Sequence, residues 1–164
     1  MLTASFIEDV VGVTHNNDDG SSRQEIIWTC KAGERLILEH ESDNRHDKHA
    51  IRVMRQDRTQ VGYLSKEIAK EIYDEFLQIP GWQYSAITLG VHFAYPPDFE
   101  TLRVGIFLAN ASEEGQTILA RLEEFAAANQ QSFDRLLPLI EIPSKLFKAH
   151  RKQAARGSPP SFVK

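Results

Sequence analysis

The chain has 164 residues, of which 41% are hydrophobic and 26% are charged. This composition is typical of one globular domain and excludes a wholly disordered chain, a coiled coil and a collagen-like repeat. No apolar run is long enough for a membrane span, and we read no signal peptide at the N-terminus. Cys30 is the only cysteine, which excludes an intrachain disulfide and a cysteine-based zinc cage. We therefore expect a cytoplasmic protein without a membrane segment.

The charge is unevenly distributed along the chain. The formal net charge is -4, from 19 basic and 23 acidic residues. The last 20 residues carry six basic and no acidic side chains, which leaves residues 1–144 with a balance of -10. The basic end is either a solvated tail or a contact for phosphate or an acidic partner. The acidic body argues against broad nonspecific coating of DNA but permits a small local DNA site.

The first half of the chain is predicted to consist mainly of short strands. Four segments predict strands: 5–15, 35–41, 50–54 and 60–64. The last two predict a hairpin. The segment 24–30 fits either a strand or a short helix, because the spacing of its apolar residues does not distinguish the two. The polar segments 16–22 and 42–49 predict loops.

The second half adds helices and two more strands. Ser65 predicts the N-cap of a helix that ends before Pro80. Strands are predicted at 84–93 and 102–109, and Ser112 predicts the N-cap of a second helix. The result is a mainly β fold with some α structure (α+β), a small barrel of about six strands with two or three appended helices.

Motifs for catalysis and metal binding are missing from the sequence. We find no ATPase phosphate-binding loop, no hydrolase elbow and no zinc-protease motif. The Asn/Asp run at 16–20 fails as a calcium loop, because His15 and Ile26 would stand where carboxylates are required. We therefore expect no catalytic residues, no metal and no cofactor, and a protein that is not an enzyme.

The polar segment 40–49 is the most unusual stretch and allows three interpretations. Its histidines and carboxylates suggest a metal, but the spacing matches no familiar site, and Arg45 and Lys48 would repel a cation. His46 and Asp47 could act as an acid–base pair if a third group assisted them. The structural alternative is a loop held by Asx turns.

Four segments taken together resemble the HIRAN domain family: Val10–Val13, Gly33–Leu38, Glu41–Val53 and Gln60–Leu64. They occur in the family's order and at compatible spacings, and the combination is specific although each piece is weak alone. The resemblance covers residues 5–110. It leaves a helical extension at 111–142, with a weak helical segment at 133–140, and a basic, flexible tail at 143–164.

The resemblance implies an OB-like β-barrel that binds DNA. The best-understood member lies at the N-terminus of a fork-remodelling DNA translocase, where it captures the 3′ end of single-stranded DNA. This chain has no room for a motor and resembles the stand-alone, bacterial form.

The resemblance also implies six nucleic-acid-binding residues: Asn44, His46, Asp47, Tyr63, Lys66 and Phe99. Asp47 matches the carboxylate that accepts a hydrogen bond from the 3′-hydroxyl, a role that suits an acceptor-only group. Lys66 matches a phosphate-contacting lysine, Phe99 an aromatic ring that stacks on a base, and Asn44 the residue that opens the loop.

Three positions depart from the family's pattern. His46 stands where the family commonly has Tyr, and Tyr63 stands where the translocase has His. Asp9 replaces an aromatic residue and adds a negative charge that would repel phosphate.

Three functions of different classes follow from the sequence. The first is a module that recognises single-stranded DNA at its 3′-hydroxyl end, in DNA repair or replication-fork processing. The alternative is a scaffold that docks a helicase or nuclease partner through residues 112–128 and the basic tail, and the departures at Asp9 and His46 favour it. A metal-dependent hydrolase is the third and least favoured.

Overall fold

The computed structural model describes residues 2–78, 80–94, 99–110 and 112–128. The strands within these ranges are β1 (Leu2–Asp9), β2 (Arg35–His40), β3 (Ile51–Arg55), β4 (Gln60–Tyr63), β5 (Trp82–Ala94) and β6 (Phe99–Asn110). The helices are α1 (Arg23–Trp28), α2 (Lys66–Ile72), which continues through a π-helical turn at Tyr73–Leu77, and α3 (Glu113–Ala128). The predicted fold, a mainly β barrel of about six strands with two or three helices, is confirmed.

All six strands form one antiparallel sheet in the order β1-β6-β5-β2-β3-β4. The sheet curls so that its two edges meet just beyond the end of β1. There Val11 and Tyr63 exchange a pair of backbone hydrogen bonds, with N···O distances of 2.8 and 2.9 Å. This pair joins the edges at one end and gives the sheet the shape of a partly closed, OB-like barrel.

The closure requires a glycine on each side. A Cβ atom at Gly62 would lie 2.4 Å from the carbonyl oxygen of Val11, so any side chain there would push the two edges apart. Gly12 has a φ of +69°, in the left-handed region where glycine is favoured. The chain therefore turns out of the sheet directly after the closing pair.

The main core lies inside the curled sheet, under α1 and α2. The fully buried side chains of this interior include Ile27, Val53, Val61, Leu102, Val104 and Ile106. A smaller cluster lies on the outer face of β5 and β6, where Leu119 and Ala126 of α3 cover Ile87 and Phe107. Because the second half of β6 is covered on both faces, Val104–Ala109 is a continuous apolar run rather than an alternating one.

The structure differs from the prediction at one element and decides between the alternatives at another. The first strand was expected over 5–15, but β1 ends at Asp9, because the turn at Gly12 takes the chain out of the sheet. The undecided segment 24–30 is the helix α1, and Ser22 caps it by accepting a hydrogen bond from the N–H of Glu25 at 3.3 Å.

Other predictions lie outside the described residues: the weak helical segment at 133–140 and the basic tail at 143–164. The division into a barrel at 5–110, an extension and a tail stays a prediction. Within the described ranges, no helix has the length and apolar character that a membrane crossing requires.

Candidate nucleic-acid interface

The loop between β2 and β3 is organised by its own polar side chains. The Oδ1 atom of Asn44 accepts hydrogen bonds from the backbone N–H groups of His46 and Asp47, both at 2.9 Å. Its Nδ2 donates to Oε2 of Glu41 at 2.7 Å, and the Tyr63 hydroxyl donates to the same oxygen at 2.9 Å. Asn44 therefore forms an Asx turn that fixes the loop against β4.

The same arrangement positions the carboxylate of Asp47. Its Oδ1 accepts a hydrogen bond from the backbone N–H of His49 at 2.9 Å, and the His49 ring lies 3.5 Å from that oxygen. Its Oδ2 accepts no hydrogen bond from the described residues. Since the side chain is 20% exposed, this second oxygen can accept a hydrogen bond from a ligand.

A surface cavity of about 370 Å³ lies between this loop, the closing pair and the start of α2. Five of the six sequence-predicted site residues line it: Asn44, His46, Asp47, Tyr63 and Lys66. The remaining lining residues are Val11, Gly12, His15, Arg23, Ala50 and Leu64. Closure of the barrel thus brings together residues that stand far apart in the sequence.

The sixth predicted residue does not line this cavity. Phe99 begins β6, and its half-buried side chain packs against the main core. Its role as a base-stacking ring stays a prediction. Asp9 does not line the cavity either, because it pairs across the sheet with Arg103, whose Nε lies 3.2 Å from its carboxylate. The extra negative charge at position 9 is therefore compensated.

Sequence reasoning missed Arg23. This side chain is only 7% exposed, although it carries a charge and begins a helix. Its Nε donates to Oδ1 of Asn17 at 2.7 Å and its Nη1 to the carbonyl of Gly12 at 2.8 Å. The guanidinium carbon lies 5.4 Å from the centre of the Tyr63 ring. One signal was available, because Arg23 stands four residues before the buried Ile27 and so shares the apolar face of α1.

The charged groups of the cavity carry a positive excess. Lys66 is exposed and forms no ion pair with any residue that the structure describes, and Arg23 has no carboxylate partner in the same ranges. Asp47 is the acidic residue among the lining side chains. A locally positive site therefore exists on a chain whose net charge is negative.

The described residues offer little for catalysis. Among them, no group of three or more His, Cys, Asp or Glu side chains is arranged to hold a metal. Burial raises the pKa of the Cys30 thiol to about 11, so this group stays protonated near neutral pH and is a poor nucleophile.

Comparison with known families identifies the domain. The family model described as the HIRAN domain matches residues 9–96, more than half of the chain. The chain belongs to the HIRAN domain family. Its members are binding modules, which fits a protein that is not an enzyme, and the family match supports a nucleic-acid-binding module.

Three solved structures resemble the HIRAN chain. The crystal structure of the HIRAN domain of human HLTF is 24% identical, with a TM-score of 0.46, covering 72% of this chain and 84% of that one. A crystal structure of a protein from Lactobacillus plantarum is 21% identical, with a TM-score of 0.46, covering 65% and 98%. The NMR structure of the HLTF HIRAN domain is 23% identical, with a TM-score of 0.42, covering 74% and 86%. A search of curated proteins gave no significant match.

Proposed function

We propose that this HIRAN domain binds single-stranded DNA at its 3′-hydroxyl end, in DNA repair or replication-fork processing. The observation that carries the proposal is the shared cavity. It contains a carboxylate with an oxygen open to a ligand, Asp47, and an exposed cation without an acidic partner in the described part of the chain, Lys66.

Asp47 supplies the preference for a hydroxyl end. A carboxylate only accepts hydrogen bonds, so it can bind the terminal O–H group, and its charge repels a terminal phosphate. The His49 N–H and the Asn44 turn hold the carboxylate in place before DNA arrives. A site organised in advance loses less conformational entropy on binding.

Lys66 and the rings of the cavity hold the rest of the strand. Lys66 neutralises a backbone phosphate near the end. The exposed ring of His46 stacks on a base, and Tyr63, whose hydroxyl donates to Glu41, lines the same cavity. Base stacking contributes about 1–3 kcal/mol per base. Together with a charge-assisted hydrogen bond, this gives a dissociation constant on the order of micromolar.

Fluorescence anisotropy with a labelled oligonucleotide of about ten bases tests this function. Three ligands are compared at fixed salt: a 3′-hydroxyl strand, a 3′-phosphate strand and a blunt duplex. We expect the hydroxyl strand to bind most tightly. In Asp47→Asn, which keeps an oxygen for the His49 N–H, the preference for hydroxyl over phosphate should fall about tenfold.

The matched control is Asp43→Asn, an exposed carboxylate in the same loop that does not line the cavity. This variant should keep the wild-type preference. Equal affinity of the wild-type protein for hydroxyl and phosphate ends would contradict end recognition, and no affinity for any strand would contradict DNA binding.

A second candidate function, docking of a helicase or nuclease partner, is favoured by one observation. The Trp28 side chain at the end of α1 is 69% exposed, and exposed tryptophans often anchor protein interfaces. A purified helicase or nuclease that binds the wild-type domain in nuclease-treated samples, but not Trp28→Ala, would support this function.

A further inference from the structure

Arg23 is a buried cation that has no counter-ion among the residues that the structure describes. Its side chain is 7% exposed, and no carboxylate among the described residues pairs with it. Burial of a charge is unfavourable unless the charge is paired and hydrogen-bonded. The Gly12 carbonyl, the Asn17 amide oxygen and the Tyr63 ring compensate part of this loss. All three are uncharged, so the site still favours an anion.

The guanidinium group has donors to spare. Arginine has five N–H groups, and the described contacts use one on Nε and one on Nη1. The side chain also lines the cavity that contains Asp47 and Lys66. A planar guanidinium that lines a cavity and has unused donors is suited to the paired oxygens of a phosphate.

The group is held rigidly. Gln24, the next residue of α1, donates to the carbonyls of Val13 and Glu100 at 2.9 and 2.8 Å, and it accepts from the N–H of Glu100 at 2.9 Å. These bonds fix the start of α1 to the start of β6. Arg23 therefore needs little reorganisation to bind a ligand.

We propose that Arg23 forms a second phosphate subsite for the bound strand, separate from that of Lys66. This inference rests on the proposed function, because the phosphate it binds belongs to the DNA that enters the cavity. The backbone of the strand is then held at two points, with the Asp47 carboxylate at its terminal hydroxyl.

The salt dependence of binding tests the subsite. Each phosphate neutralised on a single strand contributes about 0.7 to the slope of log K against log salt. Arg23→Gln should reduce the slope by about 0.7 and weaken binding about tenfold. Arg121→Gln removes an exposed arginine of α3, outside the cavity, and should change neither quantity.

A scan of the DNA locates the contact. Single methylphosphonate groups, which are uncharged, replace each phosphate of the 3′-hydroxyl strand in turn. We expect two sensitive positions with the wild-type protein. Arg23→Gln should abolish the sensitivity at one position, and Lys66→Gln should abolish it at the other.

The outcomes separate this inference from the proposed function. Arg23→Gln could leave both the salt slope and the methylphosphonate sensitivity unchanged while the wild-type protein binds tightly and selectively to the 3′-hydroxyl end. This result would overturn the subsite and leave end recognition intact. Two sensitive positions without a hydroxyl preference would support the subsite and overturn end recognition. A wild-type protein that binds no strand would overturn both.

A second variant tests the subsite if Arg23→Gln does not fold. Thermal unfolding first checks that Arg23→Gln is folded. If it is not, Arg23→Lys takes its place, since it keeps the charge but lacks the planar fork. We then expect about threefold weaker binding at an unchanged slope, and full wild-type affinity would overturn the subsite.

Discussion

The cavity and the surface formed by β2 and β3 differ in whether their cationic side chains are paired with carboxylates. On the β2–β3 surface, Glu39 pairs with both Arg52 and Arg58, and Glu34 pairs with Arg55. In the cavity, Lys66 and Arg23 have no acidic partner in the described ranges. An acidic chain can therefore present a positive site if its carboxylates neutralise the arginines elsewhere. Net charge alone does not locate such a site, whereas the pairing of each cation does.

The two regions also differ in how they are built. The β2–β3 surface depends on neighbouring strands, so its ion pairs form between residues in register or near it. The cavity depends on the closure between Val11 and Tyr63, which lie 52 positions apart in the sequence. Each of the four predictions that follow concerns a substitution in or next to one of these two regions.

The largest expected effect comes from breaking the closure. In Gly62→Ala, the new Cβ atom would meet the Val11 carbonyl oxygen at 2.4 Å, so the edges must separate. We expect a loss of about 3 kcal/mol or more in the free energy of unfolding, measured by chemical denaturation. Gly90→Ala is the control, since a Cβ atom there meets nothing within 4 Å. Equal stability of the two variants would contradict the closure.

The second prediction concerns a buried acid that is hydrogen-bonded to the N-cap of α2. The Glu8 carboxylate accepts hydrogen bonds from the N–H and hydroxyl of Ser65, next to Lys66. Burial raises the pKa of Glu8 from 4.5 to about 8. Between these pH values the folded protein retains a proton that the unfolded chain releases. Stability therefore falls as the pH rises from 4.5 to 8, by an amount on the order of a few kcal/mol.

Glu8→Gln should remove this pH dependence, because the amide is neutral at every pH and can still bond to Ser65. Unfolding free energies measured at pH 5 and pH 9 should differ less in Glu8→Gln than in the wild-type protein. The exposed Glu25→Gln should behave like wild type. A wild-type protein that is as stable at pH 9 as at pH 5 would contradict this account of Glu8.

The third prediction compares two lysines on α2. Lys66 lines the cavity, whereas Lys70 pairs with Asp74 outside it. Lys66→Gln should weaken binding of single-stranded DNA about tenfold and lower the salt slope by about 0.7. Lys70→Gln should change neither. Similar losses in both variants would mean that the attraction comes from the whole surface and not from the cavity.

The smallest effect is expected on the β2–β3 surface. Arg58→Gln removes an exposed ion pair with Glu39, and such pairs contribute about 0–1 kcal/mol. Stability should fall by less than about 1 kcal/mol, and DNA affinity should stay at the wild-type value. A clear loss of DNA affinity would place part of the binding surface on β2 and β3.

Much of the fold was accessible from the sequence. The strands were predicted from short apolar segments between turn residues, and the helices at Ser65 and Ser112 from their caps. The loop was predicted from its polar composition, whereas the five predicted residues that line the cavity came from the resemblance to the family rather than from periodicity. The predicted C-terminal end of β1 was wrong. Apolar residues continue to Val13 in the sequence, and only the backbone turn at Gly12 ends the strand.

Arg23 shows what the sequence could not provide. The segment 24–30 is too short for its period to separate a helix from a strand, so the apolar face that contains Arg23 was not recognised. Its burial depends on contacts with Gly12, Asn17 and Tyr63, and only Tyr63 is distant in the sequence. The contact with Tyr63 exists only after the barrel has closed.

Chemical-shift mapping by NMR tests most directly the claim that the cavity is the DNA site. The ¹⁵N-labelled domain is titrated with a short 3′-hydroxyl strand. We predict the largest amide shifts at Gly12, Arg23, residues 44–47 and residues 63–66, with small shifts on β2, β3 and α3. Shifts confined to the β2–β3 surface or to α3, or no shifts at saturating DNA, would contradict the account.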